Sequence, residues 1–392
     1  MSAETAQKFA DLEAQAQLLM SVFTKAGHEA VAPAVIQPAG VFLDVIGEAL
    51  RARTYVFTDP NGAELCLRPD LTIPACRLHL ARHADPATRA KYCYNGSAFR
   101  FQPQGADAAH PREFRQAGIE RFGDTDRELA DAETIALIVK ALEAAGLKNW
   151  SLHIGDLGLF RAVLNAAQLP ARWQKRLAEA FWQPEAFRTE LARLTTAPGA
   201  AVSHIPDDLI SRLEAGDKLR NAVILQAYYD ERGIDLIGTR TLQEIAGQLT
   251  EKAADIAAKP LDAAAAHLIE TYVAVSGPAR TAGEKTASLL RGTPNGSAAA
   301  LSAYDRRLAV LANAGIDLAR VTFSAEFGRN LEYYTGLVFE VRAPGLSPDS
   351  PVAGGGRYDG LLRAAGAHAD VPAVGAAIHT ERLLSVVAGA SS

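Results

Sequence analysis

A surplus of basic residues is missing from this chain: 40 Lys and Arg stand against 45 Asp and Glu, a formal charge of −5 over 392 residues. Proteins that hold polyphosphates by surface attraction carry the opposite balance, so a nucleic-acid partner gripped mainly by charge is disfavoured, although a local basic patch can sit inside an acidic total. Cysteine is scarce as well. Cys66, Cys76 and Cys93 are odd in number and have no C-x-x-C spacing. That excludes a disulfide framework or thiolate zinc site and reads as three reduced, buried thiols of a cytoplasmic protein. No window approaches the ~18 apolar residues of a membrane-spanning helix. The opening MSAETAQKFADLEAQ has an acid in its first turn and no apolar h-region, so it is not a signal peptide. Fixed-period repeats and long low-complexity tracts are absent too. So are G-x-x-x-x-G-K-[ST], H-E-x-x-H, G-x-S-x-G and a carboxylate cluster fit for a catalytic metal. No metal and no cofactor is therefore expected.

What is present falls into three zones, and a chain of this length can bury one large core or two to three smaller ones. In the first, Glu4 to Lys25 has Phe9, Leu12, Leu19 and Phe23 near helical spacing, with Gly27 as the closing glycine. TYVFTDPNGAELCLRP reads as a hairpin across Asp59 to Gly62, and KYCYNGSAFRF with EFRQAGIERFG as a further antiparallel pair. Helical periodicity returns from Glu128 to Ala145, and WSLHIGDLG reads as a strand. The second zone, 160–295, is nearly all helical in pattern, broken at Pro170, Pro184, Pro198 and Pro206. In the third, RVTFSAEF and YYTGLVFEVRA read as strands and PAVGAAIHTERLL as a strand entering a final helix. The expected architecture is α+β: an antiparallel sheet flanked by helices, formed by a discontinuous core of 1–159 and 296–392 with a helical insertion at 160–295.

Several residues have chemistry to offer, each beside a plainer reading. In LRPDLT, Asp70 and Thr72 lie two apart, where a carboxylate and a hydroxyl on one side of an extended segment can grip an ammonium group. The plainer reading is a turn, Pro69-Asp70 before a helix as an ordinary N-cap arrangement, which the motif by itself favours. Gln116, Gly118 and Glu120 alternate on one face of FRQAGIE, as a small polar ligand lying on a sheet requires; a solvated outer face has the same pattern. Arg100, between Phe99 and Phe101, can fork onto phosphate or carboxylate or stand exposed on a sheet. Arg329 leads into Tyr333 and Tyr334, one of whose rings turns inward and can meet an imidazole nitrogen. GGGRYDGL sets three glycines before Arg357, Tyr358 and Asp359 and allows close backbone approach without making a phosphate loop. His79, His83, His110, His153 and His368 are scattered, with core or surface roles as the default.

The order LRPDLT, YNGSAFRFQPQG, FRQAGIERFG, RNLEYYTG, GGGRYDGL, HTERLL resembles the class II aminoacyl-tRNA synthetases, and among them the histidyl enzymes. VAPAVIQP is similar to their first motif, at a dimer interface, and HTERLL to their third. The resemblance implies that Asp70, Thr72 and Gln116 hold the α-amino group of histidine, that Glu120 and Tyr334 read the imidazole, and that Tyr333 and Tyr358 line the site. It places Arg329 on the histidine carboxylate, and Arg100 and Arg382 where class II enzymes clamp ATP phosphates.

Departures redirect the functional expectation. Gln102 stands where the class II pattern has a glutamate for the adenine amino group, and Asp70 and Leu71 replace the glutamate and glycine of R-P-E-G-T. The chain stops about ten residues past Arg382, with no segment resembling a C-terminal anticodon-binding domain. This combination resembles the regulatory subunits of ATP phosphoribosyltransferase. The resemblance implies a non-catalytic subunit that activates a short-form catalytic chain and binds L-histidine for feedback inhibition of histidine biosynthesis. It further implies a homodimer within a hetero-octamer, with no tRNA and no membrane partner. The alternative is a truncated synthetase-like enzyme that forms histidyl-adenylate.

Overall fold

A computed structural model describes residues 6–43, 51–102, 105, 111–181, 183–196, 206–213, 217–233, 242–256, 258–293, 297–327 and 333–389. The chain forms two compact units, one of Met1–Ala166 with Tyr272–Ser392 and one of Ala167–Thr271. In chain order the first unit opens with α1 (Ala6–Lys25), β1 (Glu29–Ala30), β2 (Ile36–Pro38), α2 (Ala39–Leu43), β3 (Val56–Thr58) and β4 (Glu64–Leu67). It continues with α3 (Thr72–Arg82), β5 (Ala90–Phe99), β6 (Glu113–Phe122), α4 (Arg127–Ala144), β7 (Ser151–Asp156) and α5 (Leu157–Ala166). The second unit holds α6 (Ala171–Ala180), α7 (Pro184–Thr196), α8 (Asp207–Ile210), α9 (Lys218–Arg232) and α10 (Leu242–Ile256), and α11 (Ala263–Val273) runs across the boundary. The first unit resumes with β8 (Ser276–Pro278), α12 (Ala279–Leu289), α13 (Ser297–Asn313), β9 (Val321–Ser324) and β10 (Leu337–Arg342). It ends with β11 (Ala353–Arg357), α14 (Leu361–Ala364), β12 (Ala373–His379) and α15 (Thr380–Gly389). Residues 160–166 and 272–295 thus lie in the larger unit, and β8 adds a strand to a zone expected to be nearly all helical.

A nine-stranded sheet, in the order β1-β5-β6-β12-β11-β10-β7-β9-β8, organises the larger unit. Its centre, from β5 to β7, is antiparallel throughout. Its flanks depart from the expected antiparallel sheet: β1 pairs with β5, and β7 with β9, in parallel. Parallel neighbours need a long crossover, so local patterning does not announce them. A second sheet, β2-β4-β3, contains the expected hairpin. Its turn is held by the Asp59 carboxylate, which accepts from the N–H groups of Asn61 and Ala63, and by Gly62 at φ +86°.

Helix α1 shows how the stripe reads in three dimensions. Leu12, Leu19 and Phe23 are fully buried and Gly27 ends the helix at φ +83°, whereas Phe9 is 49% exposed, with the Arg115 guanidinium 5.3 Å from its ring. Gln15, also buried, donates to the Thr380 carbonyl at 2.8 Å and ties α1 to the start of α15. The glycine run of GGGRYDGL is a buried strand, β11. Glycine is a weak strand former, and its place here follows from close approach: a methyl on Gly356 would stand 2.5 Å from the Leu337 carbonyl oxygen and 2.9 Å from the Tyr334 ring.

In the smaller unit, Leu209, Leu225, Tyr228 and Ala246 form one apolar cluster. Elsewhere in that unit Asp255 is buried and accepts from Arg172, Arg176 and the Trp173 indole.

Candidate functional site

The site is organised by one carboxylate. Glu120, on β6, is fully buried. Its Oε1 accepts from Thr72 Oγ1 and from Tyr94 Oη, each at 2.8 Å, and its Oε2 accepts a short hydrogen bond from Tyr358 Oη. Four elements deliver these groups. Thr72 opens α3, Tyr94 comes from β5 directly across from Gly118, and Tyr358 follows β11. Gly118 lies under the Tyr94 ring: a methyl there would stand 2.6 Å from the Tyr94 hydroxyl. Gly375 on β12 is paired with Glu120, and a methyl there would overlap Oε2 outright.

Burial pushes the Glu120 carboxyl up to about 7; donation from Tyr358, Thr72 and Tyr94 opposes the shift, and the charge of Asp70 adds to it. Burial and the neighbouring Glu120 raise both tyrosine hydroxyls and the Cys76 thiol well above their ordinary ranges. The hydroxyls therefore stay protonated and donate. Since the carboxyl protonates more easily folded than unfolded, its contribution to stability is fully present below about pH 4.5 and is lost as pH rises through about 7. The wild type is expected to lose about 3 kcal/mol relative to Glu120→Gln across that window. Chemical denaturation of both proteins between pH 4.5 and 8 reads the difference directly; parallel stability profiles would contradict it.

Asp70 and Thr72 do not share an extended segment. Thr72 is the first residue of α3, and Asp70 Oδ1 accepts from the Ile73 N–H at 3.1 Å, so the plainer capping reading holds for that oxygen. Asp70 Oδ2 and Gln116 Oε1 are buried and have no hydrogen-bond partner among the described residues. Two such acceptors suit a donor-rich group, for which an ammonium supplies three N–H bonds. Burial raises the Asp70 carboxyl above its ordinary range, against the Ile73 N–H and the charges of Arg100 and Arg68. Gln116 precedes Glu120 by four residues on the same strand face, about 13 Å along β6.

Tyr333 and Tyr334 are both buried, not one of the two. Their ring centroids lie 4.8 Å apart, and the Tyr333 ring stands edge-on to Tyr358 at 5.8 Å. Arg329 lies outside the described residues. Arg100 donates from Nε to the Pro69 carbonyl at 2.9 Å and places its guanidinium 5.0 Å from the Phe114 ring, which is stacked on His379 at 5.3 Å. Arg382 donates from Nη1 to the Pro351 carbonyl at 2.9 Å. Gln102 accepts from Arg53 and donates to the Pro111 carbonyl at 3.2 Å. Among the described residues there is no group of three or more metal-ligating side chains, and no helix is long and apolar enough to cross a membrane. Cys66, Cys76 and Cys93 are buried free thiols.

Tyr94 was missed by sequence reasoning. The available signal was an aromatic on β5 at the register position of a β6 glycine, which only the strand pairing reveals. Gly375 was missed for the same reason.

A family model for histidyl-tRNA synthetase matches residues 4–383. Proteins named ATP phosphoribosyltransferase regulatory subunit in Brucella anthropi and Agrobacterium fabrum are each 38% identical to this chain, over 358 and 356 residues. These matches cover 90% of this chain and 92% and 91% of theirs. A crystal structure described as an ATP phosphoribosyltransferase regulatory subunit/histidyl-tRNA synthetase from Bacillus halodurans shares the fold with a TM-score of 0.67 at 21% identity, covering 99% of this chain and 82% of that one. A histidine–tRNA ligase subunit from Alicyclobacillus acidocaldarius does so at 0.60 and 24% identity, covering 100% and 97%. The mixed sheet with flanking helices is thus the class II synthetase-like α+β fold, and the chain belongs to the histidyl-tRNA synthetase family, in the branch of the ATP phosphoribosyltransferase regulatory subunits.

Proposed function

We propose that this chain is a non-catalytic regulatory subunit of ATP phosphoribosyltransferase that binds L-histidine around Glu120. It activates a short-form catalytic chain, which transfers phosphoribosyl from phosphoribosyl pyrophosphate to N1 of ATP, and it carries histidine feedback inhibition. One observation carries the ligand half of the reading: a fully buried carboxylate held by three hydroxyls, an acceptor that an imidazole N–H satisfies and an aliphatic side chain does not. The names of relatives 38% identical over 90% of the chain support the partner half.

In this reading the ammonium group of histidine takes Asp70 Oδ2, Thr72 and Gln116 Oε1 as acceptors, and its charge draws the Asp70 carboxyl back down. Glu120 and Tyr334 read the imidazole, Tyr333 and Tyr358 wall it in, and Arg329 meets the carboxylate. A coupling of about 1–3 kcal/mol between this site and the partner interface changes activity several-fold to a hundredfold. The working assembly is a cytoplasmic hetero-octamer containing homodimers of this chain, without tRNA.

Mixing tests this. A short-form catalytic chain is expected to gain phosphoribosyl transfer on addition of this protein and to lose it as histidine is titrated in. No complex and no change in rate would end the regulatory reading. The match to the synthetase family and the retention of Arg100 and Arg382 favour a second reading, formation of histidyl-adenylate. Histidine-dependent exchange of pyrophosphate into ATP separates the two. For a regulator, exchange is absent and Arg382→Ala changes the histidine response less than about twofold. Robust exchange that Arg382→Ala abolishes would establish the enzyme instead.

A further inference from the structure

Behind β11 lies a chain of charges that the ligand reading does not use. Asp131, on α4, is fully buried. Its Oδ1 accepts from Arg357 Nε at 2.8 Å and Nη2 at 2.6 Å, and its Oδ2 accepts from Arg307 Nε at 2.8 Å. Arg307, on α13, also donates to Asp156 Oδ2 at 2.6 Å. Arg357 Nη1 reaches Asp359 Oδ1 at 2.8 Å, and its Nη2 reaches the Arg127 carbonyl at 3.0 Å. Asp359 in turn accepts from Arg127 Nε and from the Ala373 N–H, both at 2.9 Å. Asp131, Asp156 and Asp359 are thereby balanced by Arg127, Arg307 and Arg357, which is what permits charges at this depth.

Two features aim this network at the site. Arg357 and Tyr358 are consecutive at the end of a strand, so their side chains leave on opposite faces, one toward Asp131 and the other toward Glu120. The same step also carries the tyrosine pair: the Arg357 carbonyl accepts from the Thr335 N–H at 2.7 Å, and the Asp359 N–H donates to Thr335 Oγ1 at 2.9 Å, directly after Tyr333 and Tyr334. A guanidinium held in a fork is fixed in rotation as well as in place.

We propose that Asp131 is a positioning residue for the ligand site: through Arg357 it holds Tyr358 on the Glu120 carboxylate and keeps Tyr333, with Tyr334 beside it, against Tyr358, without touching ligand. The affinity readout of this inference rests on the histidine reading above; a second readout does not. The groups facing Glu120 are Thr72, Tyr94 and Tyr358, with Asp70 and Cys76 acting on it by charge. When Tyr358 is no longer aimed at Glu120, one of the donors that favour the ionised carboxyl is gone, and its titration midpoint rises.

The test compares Asp131→Asn with Asp156→Asn, a control at the far end of the network that bonds Arg307 rather than Arg357. Histidine affinity, measured by calorimetry, is expected to fall tenfold or more in Asp131→Asn and to stay within twofold in Asp156→Asn, even where the two melt at similar temperatures. In the ligand-free protein the Glu120 midpoint, read from the infrared carbonyl band of its protonated carboxyl with Glu120→Gln as the blank, is expected to move upward in Asp131→Asn alone. If Asp131→Asn does not fold, Arg357→Lys keeps a charge on Asp131 without the fork and is held to the same two readouts. Equal affinity losses at Asp131 and Asp156, or an unmoved Glu120 midpoint, would overturn the proposal. A wild type that binds no histidine while the midpoint still shifts would leave the positioning role standing and remove the histidine reading.

Discussion

Glu120→Ala is expected to weaken histidine binding by about a hundredfold or more while the chain keeps its fold. The carboxylate is the acceptor on which Thr72, Tyr94 and Tyr358 converge, and in the proposed complex its removal would leave the imidazole N–H of the bound histidine without a charged partner. A hydrogen bond to a charged group contributes about 1.5–3 kcal/mol, and leaving the ligand donor unpaired in a desolvated site adds to the loss. The fold survives for a reason specific to this residue: burial opposes its ionisation, so at neutral pH and above the mutation also removes an unfavourable buried charge. The three hydroxyls left behind both donate and accept, and can bond to one another or to water. Calorimetric titration with histidine, beside circular dichroism of the same sample, separates lost binding from lost structure. Unchanged affinity would move the imidazole site away from Glu120.

Gly375→Ala is expected to match that loss without removing any polar group. Gly375 faces Glu120 across the β6–β12 ladder, and an added methyl overlaps Oε2 and stands 2.6 Å from the Glu120 carboxyl carbon and 2.7 Å from the Ile119 carbonyl oxygen. The Ile119 carbonyl is backbone within a ladder and yields little, so the Glu120 side chain is the part that moves, away from the hydroxyls that hold it. Overpacking of this kind costs about 1–3 kcal/mol of stability, and the displaced carboxylate brings a fall in histidine affinity of about a hundredfold. Gly389→Ala is the control, since a methyl there meets nothing within 4 Å. Histidine affinity and thermal midpoint measured on both variants read the outcome; equal behaviour of the two would show that Glu120 has room to spare.

Much of this site is visible in the sequence because its parts are local. The alternation of Gln116, Gly118 and Glu120 in FRQAGIE describes a strand face that is buried, and the turn residues Asp59 and Gly62 mark their hairpin. What was not legible depends on which strands become neighbours. Tyr94 meets Glu120 through the β5–β6 register, and Gly375 does so through β12, more than 250 residues later in the chain. The parallel flanks of the sheet have the same origin, since β7 and β9 are joined only after the chain has passed through the smaller unit. Local physics decided the case of Thr72, where a carboxylate before a helix start prevailed over an extended segment. Arg357 and Asp131 lie 226 residues apart, and their pairing has no sequence period to betray it.

The most direct test is a calorimetric titration of the wild-type chain, alone, with L-histidine, L-glutamine and L-leucine at neutral pH. A site built around a buried Glu120 predicts saturable binding of one histidine per chain and no saturation with the other two, because neither presents an imidazole N–H to that carboxylate. Equal binding of glutamine, or no heat with histidine at any concentration, would contradict the account at its centre.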